Sequence, residues 1–277
     1  MKSLENIKKI YKNISRFFSI RAISGLGYLP EILNVVKNWQ QFLLAYLRLS
    51  KRNGFFLIKN NVTINYNQPI ASGTVMVVYI RKHYGIIDPS VKCIVDIGAN
   101  IGVFMTYAAS MAPQAKIYCY EPNPDNYELL NSNISSNNLS YRVSASCVAV
   151  GAKNGIRHLN ISSDSPRHSI IHNELNSVKI MAECISLDEI INSLGDESVD
   201  LLKMNCEGAE YEIFYNTSSE IFSRIKKIRM EFHDFNSEDM NGRALESFLI
   251  RHGYSIVHYD KYDNNSGFLW ADLRSAD

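Results

Sequence analysis

Cys93-Ile-Val-Asp-Ile-Gly-Ala-Asn-Ile-Gly102 is an apolar run that passes into two glycines four residues apart. It reads as a buried strand entering a tight turn at Gly98, and the apolar residues over 101–112 read as the helix that leaves it. Glycine lets a backbone approach a ligand closely, and the start of a helix offers amides with no partner inside the helix. The spacing is GxxxG, not the GxGxxG of dinucleotide-binding folds, and no P-loop lysine follows, so a pyrophosphate is poorly served. The next strand-like run, Ile117-Tyr-Cys-Tyr-Glu121-Pro122, ends in a carboxylate 23 residues after Gly98. An acid in that place can accept both ribose hydroxyls of an adenosine ligand. A carboxylate-lined turn without a phosphate cradle suits a cationic nucleoside.

Around this core, strand-like and helical runs alternate: 91–97 then 101–112, 115–120 then 124–136, 142–150, 199–205 then 208–215, and 225–232 then 238–252. Such alternation marks an α/β fold with a doubly wound, mostly parallel sheet. Runs 254–260 and 266–271, separated by Asp263-Asn264-Asn265-Ser266-Gly267, add a C-terminal antiparallel hairpin. Short β-like pieces at His158–Ile161, Ile170–His172 and Val178–Ile185 make 151–186 an insertion near the site.

Upstream, residues 4–18 carry apolar side chains at helical spacing with lysines between them, an amphipathic helix. A second helix is predicted to begin at Pro30, run through Leu47 and stop at Asn53-Gly54. Phe55–Lys59 and Val62–Tyr66 flank Asn60-Asn61 as a hairpin, while 74–84 fits helix and strand equally. The division expected is a helical and β-hairpin extension over 1–88 and the α/β domain that carries the ligand turn over 89–277.

The chain resembles the S-adenosylmethionine-dependent methyltransferases of the FkbM family. The resemblance rests on VDIGANIG (95–102), YEPNPDNYELL (120–130), AVG (149–151), SLDEII (186–191), DLLKMNCEGAEYEIF (200–214) and MEF (230–232), and covers about 74–260. It implies a Rossmann-like class I methyltransferase fold, with Asp96, Gly98, Asn100 and Gly102 along the methionine end of S-adenosylmethionine and Glu121 on its ribose. Asn205 is placed with the cofactor too, although the family usually carries Asp there. Cys147 and Val148 are less polar than expected beside an adenine.

In open α/β sheets ligands sit beyond the carboxyl ends of the strands, which puts Lys203, Asn205, Glu207, Glu231 and His233 on the rim. The candidate catalytic residues are His233, Glu207, Glu231 and Lys203. His233 ranks first as base for its near-neutral unperturbed pKa, and Lys203 would orient an anionic group. Glu207 serves equally well as a cap of the helix expected near Gly208. A second arrangement would gather Asn205, Glu207 and Glu231 around a magnesium ion; it ranks below metal-free base catalysis because Asn removes a charge. The reaction implied by the resemblance is methyl transfer to a hydroxyl of a sugar, glycan or secondary metabolite. The rivals are a nicotinamide-dependent oxidoreductase, which the GxxxG turn disfavours, and a non-catalytic scaffold.

Composition bounds the partners. Eleven Lys/Arg against two Glu fall in residues 1–60, while the remainder is acidic, for a net charge of +1. That asymmetry suits an anionic membrane surface or a lipid-linked or phosphorylated acceptor; a covering role or a homodimer contact is the simpler alternative. No nucleic-acid module is recognisable and no GxSxG elbow supports a hydrolase. Five cysteines without CxxC spacing indicate reduced thiols rather than a zinc site. With Arg16 and Arg21 interrupting the first apolar stretch and no run near 20 apolar residues, a cytoplasmic protein, peripheral to a membrane at most, is expected.

Overall fold

The computed structural model describes residues 27–50, 53–162, 168–169, 177–235 and 237–275. The helix expected over 4–18 and the piece at 170–172 lie outside them. The chain divides into two compact units, the second starting at Lys82.

The first unit, in its described part, opens with helix α1 (Leu29–Val35), with Pro30 in its first turn, and α2 (Trp39–Tyr46). One continuous helix to Asn53 was expected; two short ones form. Val36 takes an extended conformation and bridges Ile58, and Asn38 exchanges side-chain hydrogen bonds with the backbone of Phe55 and Leu57, so a tertiary contact outbids helix continuation. Strands β1 (Gly54–Ile58) and β2 (Val62–Tyr66) make the expected hairpin. Its three-residue loop ends with Asn61 left-handed, a conformation Asn tolerates better than most side chains. Phe56 stacks on Tyr66 at 4.4 Å and meets Phe42 edge-on at 5.2 Å. The ambiguous 74–84 segment is helical as far as Ile80, where α3 (Ala71–Val75) has run into one π-helical turn at Met76–Ile80, and continues as a turn.

The second unit begins seven residues before the expected boundary at 89. The reason is local: Trp270 Nε1 donates to the His83 carbonyl (2.8 Å), and the Tyr84 ring packs edge-on against Phe104 and Phe268. In chain order the unit contains β3 (Cys93–Ile97), α4 (Val103–Met111), β4 (Lys116–Tyr120), α5 (Pro124–Ser136), β5 (Val143–Ser146), β6 (Ala149–Gly151), β7 (Gly155–Ser162), β8 (His168–Ser169) and β9 (Ser177–Ser186). There follow α6 (Leu187–Ser193), β10 (Leu201–Met204), α7 (Glu210–Tyr215), α8 (Ser219–Ser223), β11 (Lys227–His233), α9 (Gly242–Arg251), β12 (Tyr254–Lys261) and β13 (Ser266–Leu273).

Seven strands form the main sheet in the order β12-β13-β11-β10-β3-β4-β5. The run from β11 to β5 is parallel, and β13 pairs antiparallel with both β11 and β12. The order reverses at β3, the place where an open α/β sheet binds its ligand. All five residues of β3 are buried, as a central strand covered on both faces requires. The 142–150 run, expected as one strand, divides: β5 stays in the main sheet, whereas β6 leaves to join a second sheet ordered β6-β9-β7-β8, which is the 151–186 insertion.

Candidate active site

The turn after β3 is closed by its own hydrogen bonds. The amides of Gly98 and Ala99 both donate to the Tyr120 carbonyl, Asn100 N donates to Glu121 Oε2 (2.8 Å), Ile101 N to Asn100 Oδ1 (2.7 Å) and Gly102 N to the Ala99 carbonyl. Every amide from 98 to 102 is therefore satisfied inside the protein, and no cradle of free N–H groups faces a phosphate. Gly98, Asn100 and Gly102 are all left-handed. At Gly98 a Cβ would lie 1.8 Å from the Asn205 carbonyl oxygen, so the glycine lets the end of β10 close on the turn. At Gly102 a Cβ would strike Leu130 and Met105, so that glycine serves the packing of α4 against α5.

Glu121 is buried at the end of β4. Its Oε2 accepts from Asn100 N, and its Oε1 accepts from Asn123 N (3.0 Å) and Asn126 Nδ2 (3.3 Å). Burial pushes its pKa up, against the pull of these donors. An ionised carboxylate has about four acceptor positions, so it braces the turn while keeping capacity for a ligand hydroxyl.

Two sequence expectations need correction. Asp96 does not line the site: it is fully buried, its Oδ1 is 2.9 Å from Lys203 Nζ, and burial raises its pKa against that cation. Lys203 in turn donates to the carbonyls of Gly98 (2.8 Å) and Ile97 (3.3 Å). An ammonium has three donors and these contacts occupy them, so Lys203 clamps the turn and is not available to orient an anionic substrate.

The rim brings Asn205, Glu207, Glu231 and His233 together. Asn205 Nδ2 donates to Glu231 Oε2 (2.8 Å), and Glu231 also accepts from the hydroxyls of Tyr84 (3.5 Å) and Tyr262. His233 stands among three carboxylates, with Nδ1 3.2 Å from Glu210 Oε1 and Nε2 3.4 Å from Glu207 Oε2 and 4.0 Å from Glu231 Oε1. Burial disfavours the charged ring, but the glutamates outweigh it and push the His233 pKa up to about 9. The ring ranked first as base thus stands where three carboxylates favour its charged form. Nor is Glu207 the helix cap. Helix α7 starts at Glu210, whose Oε1 accepts from Cys206 N (3.0 Å), while Glu207 lies earlier with a left-handed φ of 51°. Such backbone strain in a non-glycine residue concentrates at functional sites.

In this structure Asn205 and Glu231 of the magnesium arrangement are hydrogen-bonded to each other. Among the described residues no group of three or more His, Cys, Asp and Glu is placed to hold a metal ion. Glu231 receives hydrogen-bond donors there, one of them the Asn205 amide nitrogen.

Sequence reading missed Glu210, Tyr84 and Tyr262. Glu210 is signalled only by its spacing from Glu207, Tyr84 lay in a segment of undecided structure, and Tyr262 belongs to a hairpin end whose partner is remote in sequence.

Residues 96–256 match the family model of the methyltransferase FkbM domain, more than half of the chain. The chain belongs to the FkbM methyltransferase family. It is 28% identical over 173 residues to the methyltransferase sdnD of Sordaria araneosa, covering 52% of this chain and 67% of that protein. It is 24% identical over 192 residues to the 31-O-demethyl-FK506 methyltransferase FkbM of Streptomyces tacrolimicus, covering 58% and 72%. A 27% identical stretch of 216 residues, 65% of this chain, also aligns with the AMB antimetabolite synthetase AmbE of Pseudomonas aeruginosa, of which the chain spans only 10%. A crystal structure of a methyltransferase FkbM from Methylobacillus flagellatus KT superposes with a TM-score of 0.49 at 14% identity, covering 95% of this chain and 60% of that one. Membership of a methyltransferase family replaces the oxidoreductase reading. Among the described residues of this FkbM-family methyltransferase, no helix is long and apolar enough to cross a membrane.

Proposed function

We propose that this FkbM-family methyltransferase uses S-adenosylmethionine to methylate a hydroxyl of a sugar, glycan or secondary metabolite. The observation that carries the cofactor reading is the turn itself: its amides are spent internally, and three carboxylates, Glu121, Glu207 and Glu231, stand beside it and on the rim. That donor set fits a cationic nucleoside and offers nothing to a pyrophosphate. S-adenosylmethionine supplies, when bound, an electrophilic methyl group on a positively charged sulfur. Glu121 is assigned the ribose hydroxyls, the 98–102 backbone with Asn100 and Asn205 the methionine end, and Glu207 and Glu231 the neighbourhood of positive charge. Lys203 keeps the turn in place from behind. Transfer to a hydroxyl also requires the acceptor proton to leave, and the Glu207–His233 pair is the part of the rim equipped to hold it. The name of one relative, 31-O-demethyl-FK506 methyltransferase, gives oxygen as its acceptor atom, which supports the same choice here.

Incubation with methyl-labelled S-adenosylmethionine and a cell extract tests this. Label should enter a small molecule or glycan as an ether that survives alkaline hydrolysis. Label released by alkali, as from an ester, or recovered on nitrogen would overturn the hydroxyl assignment.

The basic residues 1–60 support an anionic surface as the place where the acceptor is met. Flotation with anionic but not neutral vesicles is the expected result, and equal negligible recovery with both contradicts it.

A further inference from the structure

We propose that Glu210 is a positioning residue: through the His233 ring it sets the direction of Glu207, which takes the proton of the acceptor hydroxyl. This rests on the hydroxyl reading above and deepens it by dividing the work of the rim among its residues.

Two consecutive residues of α7 hold His233 at both ends. Glu210, fully buried, meets ring Nδ1 through Oε1 (3.2 Å), and the same oxygen accepts from Cys206 N (3.0 Å). The Tyr211 hydroxyl donates to the His233 carbonyl (2.8 Å). With its backbone and Nδ1 both fixed, the ring presents Nε2 to Glu207, whose Oε2 stands 3.4 Å away. Side-chain exposure rises along this row, from none at Glu210 through 11% at the ring to 21% at Glu207. Carboxylate, ring and carboxylate therefore run from the core to the rim.

Each ring nitrogen faces a carboxylate, so neither is turned toward an incoming hydroxyl. Glu231, 4.0 Å from Nε2, is engaged by Asn205, Tyr84 and Tyr262. The adjacent Asp234 accepts from Gly242 N and pairs with Lys261, and Lys203 is spent on Asp96. Glu207 is the most exposed of the three carboxylates around the ring, and its left-handed backbone, with a φ of 51°, is strain of the kind that its surroundings must hold. The ring supplies that hold on the side-chain end. A base works only when its lone pair meets the proton in line, so a ring free to turn would leave Glu207 misdirected. Glu207 takes the hydroxyl proton as the acceptor oxygen bonds to the methyl carbon, and sulfur keeps the electron pair of the broken methyl–sulfur bond.

Three variants, Glu207→Gln, Glu210→Gln and the double, test this by two measurements: the rate of label transfer from methyl-labelled S-adenosylmethionine into cell extract, and calorimetry with S-adenosylhomocysteine. Glu207→Gln should transfer about 100-fold more slowly and still bind S-adenosylhomocysteine as the wild type does. Glu210→Gln should slow transfer about 10-fold in the wild type but not in the Glu207→Gln background, because the residue it positions has already lost its function. Wild-type transfer by Glu207→Gln, or an equal slowing by Glu210→Gln in both backgrounds, overturns the proposal. A wild type that places no label on oxygen refutes the hydroxyl reading instead. Should Glu210→Gln not fold, ring nitrogen NMR of the wild type and Glu207→Gln decides. A shift at Nε2 with Nδ1 unmoved is expected, and an unmoved Nε2, or an Nδ1 that moves as far, contradicts the row.

Discussion

Lys203 reaches from β10 onto β3 and meets Asp96 where neither side chain touches water, so each charge depends on the other. Lys203→Met strands a buried carboxylate and should cost about 3–5 kcal/mol in urea unfolding. Adding Asp96→Asn should recover part of that loss; a double variant whose cost is the plain sum of the singles contradicts the pairing. Gly98 and Gly195 are both left-handed, yet only Gly98 faces backbone at clash distance. Gly195→Ala should therefore cost only about 1–2 kcal/mol, the ordinary left-handed penalty, while Gly98→Ala should cost considerably more. The carboxylate Glu121 and the glycine turn were legible in the sequence because their spacing within strand–turn–helix units is local. The carboxylates around His233 and the engagement of Lys203 were not, since both come from side chains that only the folded chain brings near. The sequence shows that His233 and Glu207 share a rim, but not that Glu210 stands 3.2 Å from its Nδ1.

At the level of elements, the parallel alternation was readable because buried strands and their crossover helices each carry their own period. Helix α5 coincides with its predicted 124–136 span, with Asn123 capping it through Asp125 N. Boundaries failed where a distant partner decides them. No glycine or proline marks the point at which the 142–150 run leaves the main sheet, and Val36 is diverted by Ile58, more than twenty residues away in sequence. For α9, Asn241 caps the first turn by accepting from both Arg243 N and Ala244 N at 3.0 Å. Asn241→Ala should lower the stability of the second unit by about 1 kcal/mol in thermal or denaturant unfolding, and Asn241→Asp should be nearly silent. Equal losses from both substitutions would show that the cap is not the reason.

For the molecule as a whole, the raised pKa of His233 makes stability depend on pH. Because the folded value of about 9 exceeds the ordinary 6.5, the contribution is fully present below pH 6.5 and is lost as pH rises toward 9. The loss should approach about 3 kcal/mol for the unit that carries the ring. His233→Gln, compared across the same range, should flatten that slope, and an unchanged slope would remove His233 as its source. The same unit contains the claim on which the functional account stands, that the turn and Glu121 form a nucleoside site without a phosphate cradle. Titration calorimetry with S-adenosylhomocysteine and NAD, on the wild type and Glu121→Gln, tests it most directly. The account predicts that S-adenosylhomocysteine binds, that NAD does not compete, and that Glu121→Gln weakens binding by about 1–3 kcal/mol. NAD binding tighter than S-adenosylhomocysteine, or a Glu121→Gln variant that binds it as well as the wild type, would contradict the account.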